Sequence, residues 1–145
     1  QCDVQEGSMF ITLYNKDNKY TYVDQTFKGT NRPVSIKDTE RGGPHLEPDN
    51  WTEKKTYSII NNAFSAEEKK RVSGEGFVIL LYINSDTGKI MEVEYQFFGF
   101  DTFASIPVSV YRKIETELKK NVWFTPAQEG KRMSFITLGW RHEVK

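Results

Sequence analysis

Apolar and polar residues alternate most clearly over Ile90–Phe98, where Met91, Val93, Tyr95 and Phe97 take every second position. Successive side chains of a β-strand point to opposite faces of the sheet. The pattern therefore predicts a strand with one face on a hydrophobic core and the other face, which carries two glutamates and a glutamine, in water.

Residues 77–83 are apolar throughout and show no such alternation. A short run of this kind predicts a central strand that is covered on both faces. Between the two runs, Asp86, Thr87 and Gly88 supply turn residues, with Gly88 at positive φ. We therefore predict a hairpin that joins residues 77–84 to residues 90–98.

Helical spacing follows the hairpin in residues 107–120, where Val110, Ile114 and Leu118 recur at every fourth position. This spacing predicts an apolar stripe on one side of a helix. Pro107 suits the first turn of such a helix, because the amide hydrogen that proline lacks has no partner there.

Two shorter helices are predicted before the hairpin, over residues 51–63 and 65–72. In the second helix Ser65 precedes Glu68 by three positions, which is the spacing of a capping box.

The N-terminal part of the chain predicts another hairpin, with strands at residues 9–14 and 19–23 that are rich in β-branched and aromatic residues. Residues 28–49 collect glycines and prolines with few large apolar side chains, and they predict a long loop. Residues 1–8 are predicted to form a flexible terminus.

Together these elements predict one α+β domain over residues 1–145. Its antiparallel sheet holds residues 77–84 near the centre, residues 90–98 on one side and a last strand, residues 133–140, at the edge on the other side. The helix over residues 107–120 is the crossover that packs on one face.

Residues 122–131, with the sequence Val-Trp-Phe-Thr-Pro-Ala-Gln-Glu-Gly-Lys, lead into that last strand. With the hairpin and the crossover helix they resemble the aromatic-x-Pro-Ala-x-x-Gly-Lys pattern of TonB C-terminal-like domains, over residues 74–145. The resemblance implies a periplasmic or envelope module that binds a short peptide as an added strand along residues 133–140. The whole pattern also looks like small secreted proteins of unknown function from gut Bacteroidetes.

Composition narrows the choice of partners. Lysine plus arginine equal aspartate plus glutamate, 20 against 20, so no net field favours nucleic acid. No apolar run is long enough to span a membrane.

The chain begins with Gln1, from which we expect a removed signal peptide and a periplasmic or secreted protein. The single cysteine, Cys2, is interpreted as an unreactive terminal thiol rather than a lipid anchor, since lipoprotein processing leaves cysteine first.

No residue set predicts catalysis, a metal site or a cofactor. The two histidines, His45 and His142, lie far apart in the sequence. Glu92 and Glu94 are neighbours on one strand face, as an acid and base pair can be, but we interpret them as solvated. The sequence therefore favours a binding protein over an enzyme.

Two kinds of binding remain open. The first is an envelope peptide or protein added as a strand, with Met133, Phe135, Thr137 and Trp140 in contact. The second is a small ligand or glycan held by exposed aromatic residues, Trp51 among them, and by the loop over residues 28–49.

Overall fold

The computed structural model describes residues 2–5, 10–35, 44–98 and 102–145 of the chain. Its centre is an antiparallel sheet of five strands in the order β1-β2-β4-β3-β5. The strands are β1 (Cys2–Gln5), β2 (Phe10–Tyr14), β3 (Gly76–Ile83), β4 (Ile90–Phe98) and β5 (Ile136–Glu143). The predicted α+β class is confirmed, and β3 lies between β4 and the last strand as predicted, although β4 is the middle strand of the five.

The β3–β4 hairpin is formed as predicted. Asn84 begins its turn, because the Asn84 side-chain oxygen accepts hydrogen bonds from the backbone N–H groups of Asp86 (2.8 Å) and Thr87 (2.9 Å). Gly88 follows with φ at 76°, the left-handed conformation that favours glycine.

The helices of the described residues are α1 (Thr52–Ala63), α2 (Ala66–Arg71), α3 (Val108–Asn121) and α4 (Gln128–Lys131), and a 3₁₀ turn spans Thr102–Ser105. α3 packs on β4 as the predicted crossover, and α1 packs against α3. Val110, Ile114 and Leu118 are all buried, as their spacing predicted. These helices place the hydrophobic core on one face of the sheet.

The capping box before α2 is also present. The Ser65 hydroxyl accepts from the Glu68 N–H at 3.1 Å, and the Glu68 carboxylate accepts from the Ser65 N–H at 2.8 Å. No residue of α2 is buried, so these reciprocal bonds carry much of its local stability.

The predicted N-terminal hairpin forms with a different pair of strands. β2 pairs with β1 on one side and with β4 on the other. Residues 19–23, predicted as a strand, instead make turns. Of the terminus predicted to be flexible over residues 1–8, Cys2–Gln5 pair with β2 as strand β1, and the other residues lie outside the described part of the chain.

The turns at residues 19–23 cover the second face of the sheet, which corrects the wet face predicted for β4. Glu92 and Glu94 are buried, with only 6% and 3% of their surface exposed. Glu92 accepts hydrogen bonds from the backbone N–H groups of Lys19 (2.6 Å) and Tyr20 (2.9 Å). A polar segment distant in sequence thus supplies the partners that a buried carboxylate needs.

The loop predicted over residues 28–49 holds no helix or strand in its described parts, 28–35 and 44–49. It is nevertheless anchored: Leu46 bridges Pro126, and the Glu47 N–H donates to Thr125 O at 2.8 Å. The backbone therefore continues beside the segment that leads into α4.

Candidate binding site at the edge of the sheet

β5 forms one edge of the sheet, as predicted for the last strand. It pairs with β3 along its whole length, and the part of the chain that the structure describes contributes no strand to its other side. An unpaired edge presents backbone N–H and C=O groups that a further strand can use. The edge is eight residues long.

The residues just before β5 are covered by another part of the chain. Ser134 donates its N–H to Thr26 O at 2.7 Å, and Phe27 bridges Met133. As a result Met133 and Phe135 expose only 1% and 2% of their surface. Both side chains, which were predicted to contact a partner, therefore lie under residues 26–28 of the chain itself, and the open edge begins after them.

A groove of about 240 Å³ lies between α1 and the middle of β5. Its lining comes from one side of α1 (Thr52, Glu53, Thr56 and Tyr57), from β5 (Leu138, Gly139 and Trp140) and from Phe124. Thr52 and Thr56 are four positions apart, as are Glu53 and Tyr57, and residues at this spacing lie one above the other on a helix, so the two pairs form adjacent rows along the groove.

The start of α1 is fixed by Asp49. Its carboxylate accepts the backbone N–H groups of Trp51 and Thr52, each at 2.8 Å, and also the Thr52 hydroxyl at 2.9 Å. Desolvation is the largest single effect and raises the pKa of Asp49, but these hydrogen bonds together outweigh it and lower the pKa overall. The Thr52 hydroxyl is thus engaged and unavailable to a ligand as a donor.

Thr56 differs from Thr52. It is 2% exposed, and its hydroxyl has no hydrogen-bond partner among the described protein atoms. A buried hydroxyl without a partner costs free energy, so such groups are rare in folded proteins. In this groove Thr56 is the polar group that is left unsatisfied.

Aromatic side chains form the end of the groove. The Tyr57 and Trp140 rings stack with centroids 5.9 Å apart, and Tyr57 also meets the His142 ring edge-on at 4.9 Å. Burial raises the pKa of Tyr57, and the charge of Glu53, which accepts a hydrogen bond from the Tyr57 hydroxyl, raises it further. Tyr57 therefore stays neutral and presents a flat apolar surface.

A chain of hydrogen bonds fixes Trp140. The indole Nε1–H donates to His142 Nδ1 at 3.1 Å, and His142 Nε2 lies 2.9 Å from Asn61 Oδ1. Because an indole can only donate, Nδ1 must be the unprotonated nitrogen, and Nε2–H donates to Asn61. Burial lowers the pKa of His142 to about 4, so the ring is neutral at physiological pH.

Two further tryptophans lie beside the groove. Trp51 immediately precedes α1, and its ring meets Trp123 edge-on with centroids 5.0 Å apart. Trp123 exposes 54% of its surface. An exposed indole backed by another ring is the kind of surface on which sugars and peptides stack.

A second cavity, of about 410 Å³, lies where the long loop meets the residues after α4. Lys28, Arg32 and Arg132 are among its lining, and the Arg32 guanidinium lies 4.5 Å from the centre of the Phe27 ring. Lys28 pairs with Asp86, and Arg132 pairs with Glu129. The cavity is basic, although carboxylates balance part of its charge.

Among the predicted contact residues, Trp140 lines the groove and Trp51 lies at its border. Thr137 is exposed and, by the alternation of a strand, points to the opposite face from Trp140. The sequence analysis missed Thr56 and Tyr57 on α1. A buried threonine on a helix carries no sequence signal that separates it from a surface threonine.

Among residues 2–5, 10–35, 44–98 and 102–145, no cluster of three or more His, Cys, Asp or Glu side chains is arranged to hold a metal ion. The described helices include none with the length and apolar character needed to cross a membrane.

Comparison with known proteins gives a family and a fold. Residues 1–140 match DUF5043, a domain of unknown function. The structure is similar to the crystal structure, at 1.85 Å resolution, of a DUF5043 family protein from Bacteroides uniformis, with a TM-score of 0.92 and 34% sequence identity. The alignment covers 100% of this chain and 80% of that chain. No curated protein matches.

Proposed function

The chain belongs to the DUF5043 family of unknown function, and from the geometry of its sheet edge we propose that it binds an extended peptide by adding it as a strand to β5. The protein then acts by binding and carries out no reaction on its partner. The TonB C-terminal-like resemblance of residues 74–145, which implies the same mode of recognition, is consistent with this proposal.

The observation that carries the proposal is the free side of β5, to which residues 2–5, 10–35, 44–98 and 102–145 add no strand, beside a groove. Backbone hydrogen bonds supply affinity in strand addition, and pockets for alternate side chains supply specificity. Here Leu138 and Trp140 of β5 line the groove together with α1. Every second side chain of an added strand would point toward α1, so the edge and the groove can be used by one ligand.

The length of the edge sets the size of the ligand. Residues 26–28 occupy the position beside residues 132–134, so an added strand can extend only along Ile136–Glu143. This length is ordinary for a strand in a globular protein, which is usually 3–10 residues. We therefore propose a ligand segment of about eight residues or fewer.

The place of action is part of the proposal. We propose that the protein works in the periplasm or outside the cell, where an envelope protein would present the peptide. The sequence resemblances support this compartment. Because the protein has a formal net charge of +0, we propose that the partner is recognised without strong long-range electrostatic attraction.

Amide hydrogen exchange tests strand addition directly. In an edge strand alternate amides lack a partner and exchange rapidly, whereas an added strand protects them. We would select peptides from a random displayed library on the intact protein and follow exchange across Ile136–Glu143 with each selected peptide. The expected result is new protection at every second amide of β5.

The other edge of the sheet, β1, is an internal control, since unspecific pairing would protect Cys2–Gln5 as well. Protection confined to the residues of α1, or shifts without any new protection in β5, would show side-chain binding only and would refute strand addition.

Glycan binding is the second candidate, and the exposed Trp123 beside Trp51 favours it. A glycan that stacks on Trp123 should quench tryptophan fluorescence, and Trp123→Ala should abolish binding while the amides of β5 keep their exchange rates. That combination would move this candidate ahead of peptide binding.

A further inference from the structure

We propose that the groove between α1 and β5 is a pocket for a tyrosine side chain of the added peptide. This inference rests on the proposed function for the source of the tyrosine, but the pocket itself can be tested alone. Three features of the groove lead to it: its size, its aromatic wall and one unsatisfied hydroxyl.

The size favours a single side chain. Pockets that enclose whole small-molecule ligands commonly span about 300 to 1,000 Å³. The groove, at about 240 Å³, is smaller. Because it adjoins the unpaired edge of β5, a side chain that projects from an added strand can enter it without any rearrangement of the backbone.

The wall selects an aromatic ring. Phe124, Leu138 and Trp140 supply apolar surface, and Tyr57 stacks on Trp140 at 5.9 Å. Trp140 is held by its hydrogen bond to His142, so its ring keeps its orientation. Aromatic rings that meet such a wall gain contact energy beyond the area that they bury.

The unsatisfied hydroxyl selects a polar tip. Thr56 is almost fully buried at the groove, and its hydroxyl has no partner among the described residues. A phenol can donate to it or accept from it, whereas a phenylalanine ring leaves it unpaired. An aromatic ring with a hydroxyl at its end can pack on the apolar wall and hydrogen-bond to Thr56. Tyrosine is the side chain that combines such a ring with a hydroxyl.

The experiment uses p-cresol and toluene, which are the side chains of tyrosine and phenylalanine without a backbone. Binding of each to the intact protein is titrated by ¹H–¹⁵N NMR, with the Trp140 indole N–H as the reporter. The test variant is Thr56→Val, which keeps the shape of the side chain and removes its hydroxyl. The control variant is Thr56→Ser, which keeps a hydroxyl at this position.

We expect both probes to shift the Trp140 signal, and we expect Thr56→Val to lower the ratio of p-cresol to toluene affinity about two- to tenfold, as loss of one neutral hydrogen bond does. Thr56→Ser should retain the ratio. Thr56→Val should also fold with undiminished stability, because it removes a hydroxyl that has no hydrogen-bond partner in the described part of the chain.

An unchanged affinity ratio in Thr56→Val, or probes that leave the Trp140 signal in place, would overturn the tyrosine pocket. Strong destabilisation by Thr56→Val would do the same, since it would mean that the hydroxyl already has a partner. Failure of strand addition is seen separately, in the exchange of β5 amides, so each proposal can fail while the other stands.

Discussion

At the scale of single residues, His142 is the side chain through which pH can affect the groove. It is 2% exposed, neutral, and held between Trp140 and Asn61. Protonation would place a second donor opposite the indole N–H, because Nδ1 is the atom that accepts from it. The folded state therefore resists the charge that an unfolded histidine takes up freely.

The first prediction follows from the direction of this pKa shift. The pKa of His142 is about 4 when folded and 6.5 as its ordinary value. The unfolded chain binds the proton first, so the stability due to the neutral ring is complete above pH 6.5 and is lost as pH falls toward 4. The loss should amount to about 3 kcal/mol at most, measured by urea unfolding across that range.

Two variants check the assignment. His142→Gln should lose this part of the pH dependence. Asn61→Asp places a carboxylate beside Nε2. This carboxylate favours the charged ring in the folded state, so the stability lost on acidification should become smaller or disappear. A wild-type slope retained in His142→Gln would show that another group causes the acid sensitivity.

The second prediction compares two glycines. Gly88 and Gly29 both have positive φ, at 76° and 86°. A Cβ on Gly88 would overlap the carbonyl oxygen of Phe124, whereas a Cβ on Gly29 would meet nothing within 4 Å. Gly29→Ala should therefore cost about 1 to 2 kcal/mol from backbone strain alone.

Gly88→Ala should cost that amount and, in addition, at least about 1 to 3 kcal/mol for displaced backbone. Urea midpoints of the two variants measure the difference. Equal losses would mean that residues 88 and 124 are farther apart than the structure has them.

At the scale of secondary-structure elements, α3 and the sheet form the centre of the core. Ile114 and Leu118 are fully buried against it, while Lys113 is exposed. We predict that Ile114→Ala lowers the free energy of unfolding by about 2 to 5 kcal/mol, the range for removing a large buried side chain.

Lys113→Ala, on the next residue of the same helix, is the matched control and should change stability by less than about 0.5 kcal/mol. Equal changes in the urea midpoint for the two variants would contradict the observed orientation of α3.

At the scale of the whole molecule, the segment over residues 18–22 covers the second face of the sheet, and its backbone N–H groups are held there by the carboxylate of Glu92. The Tyr20 ring packs on Phe135 with centroids 4.9 Å apart, next to Tyr82. Burial and the neighbouring Glu94, which accepts from the Tyr82 hydroxyl at 3.0 Å, raise the pKa of Tyr82 well above its usual value. The segment thus binds the carboxylate of Glu92, while Tyr82 of β3 donates to that of Glu94.

We predict that Glu92→Gln destabilises the protein by about 1 to 3 kcal/mol, because the amide group cannot accept both backbone hydrogen bonds. Faster exchange of the Lys19 and Tyr20 amides should accompany the loss. Glu75→Gln, at an exposed position, is the control, and an equal effect there would show that Glu92 does not hold the segment in place.

The sequence by itself determined the elements whose signals are local. The β3–β4 hairpin, the three longer helices, the turn at Gly88 and the capping box at Ser65 were all predicted, because periodicity and turn chemistry involve residues a few positions apart. The position of the last strand at an edge also followed, since a hairpin with one crossover leaves few places for it.

Tertiary structure alone decided which faces are covered. Residues 19–23 look like a strand by composition, yet their backbone binds the carboxylate of Glu92, about 70 positions away. Met133 and Phe135 became buried for the same kind of reason, since residues 26–28 lie over them. The groove is formed by α1 and β5, which lie far apart in the sequence. Long-range packing of this kind leaves no periodic trace, so the sequence could name Trp140 and Trp51 but could not find Thr56.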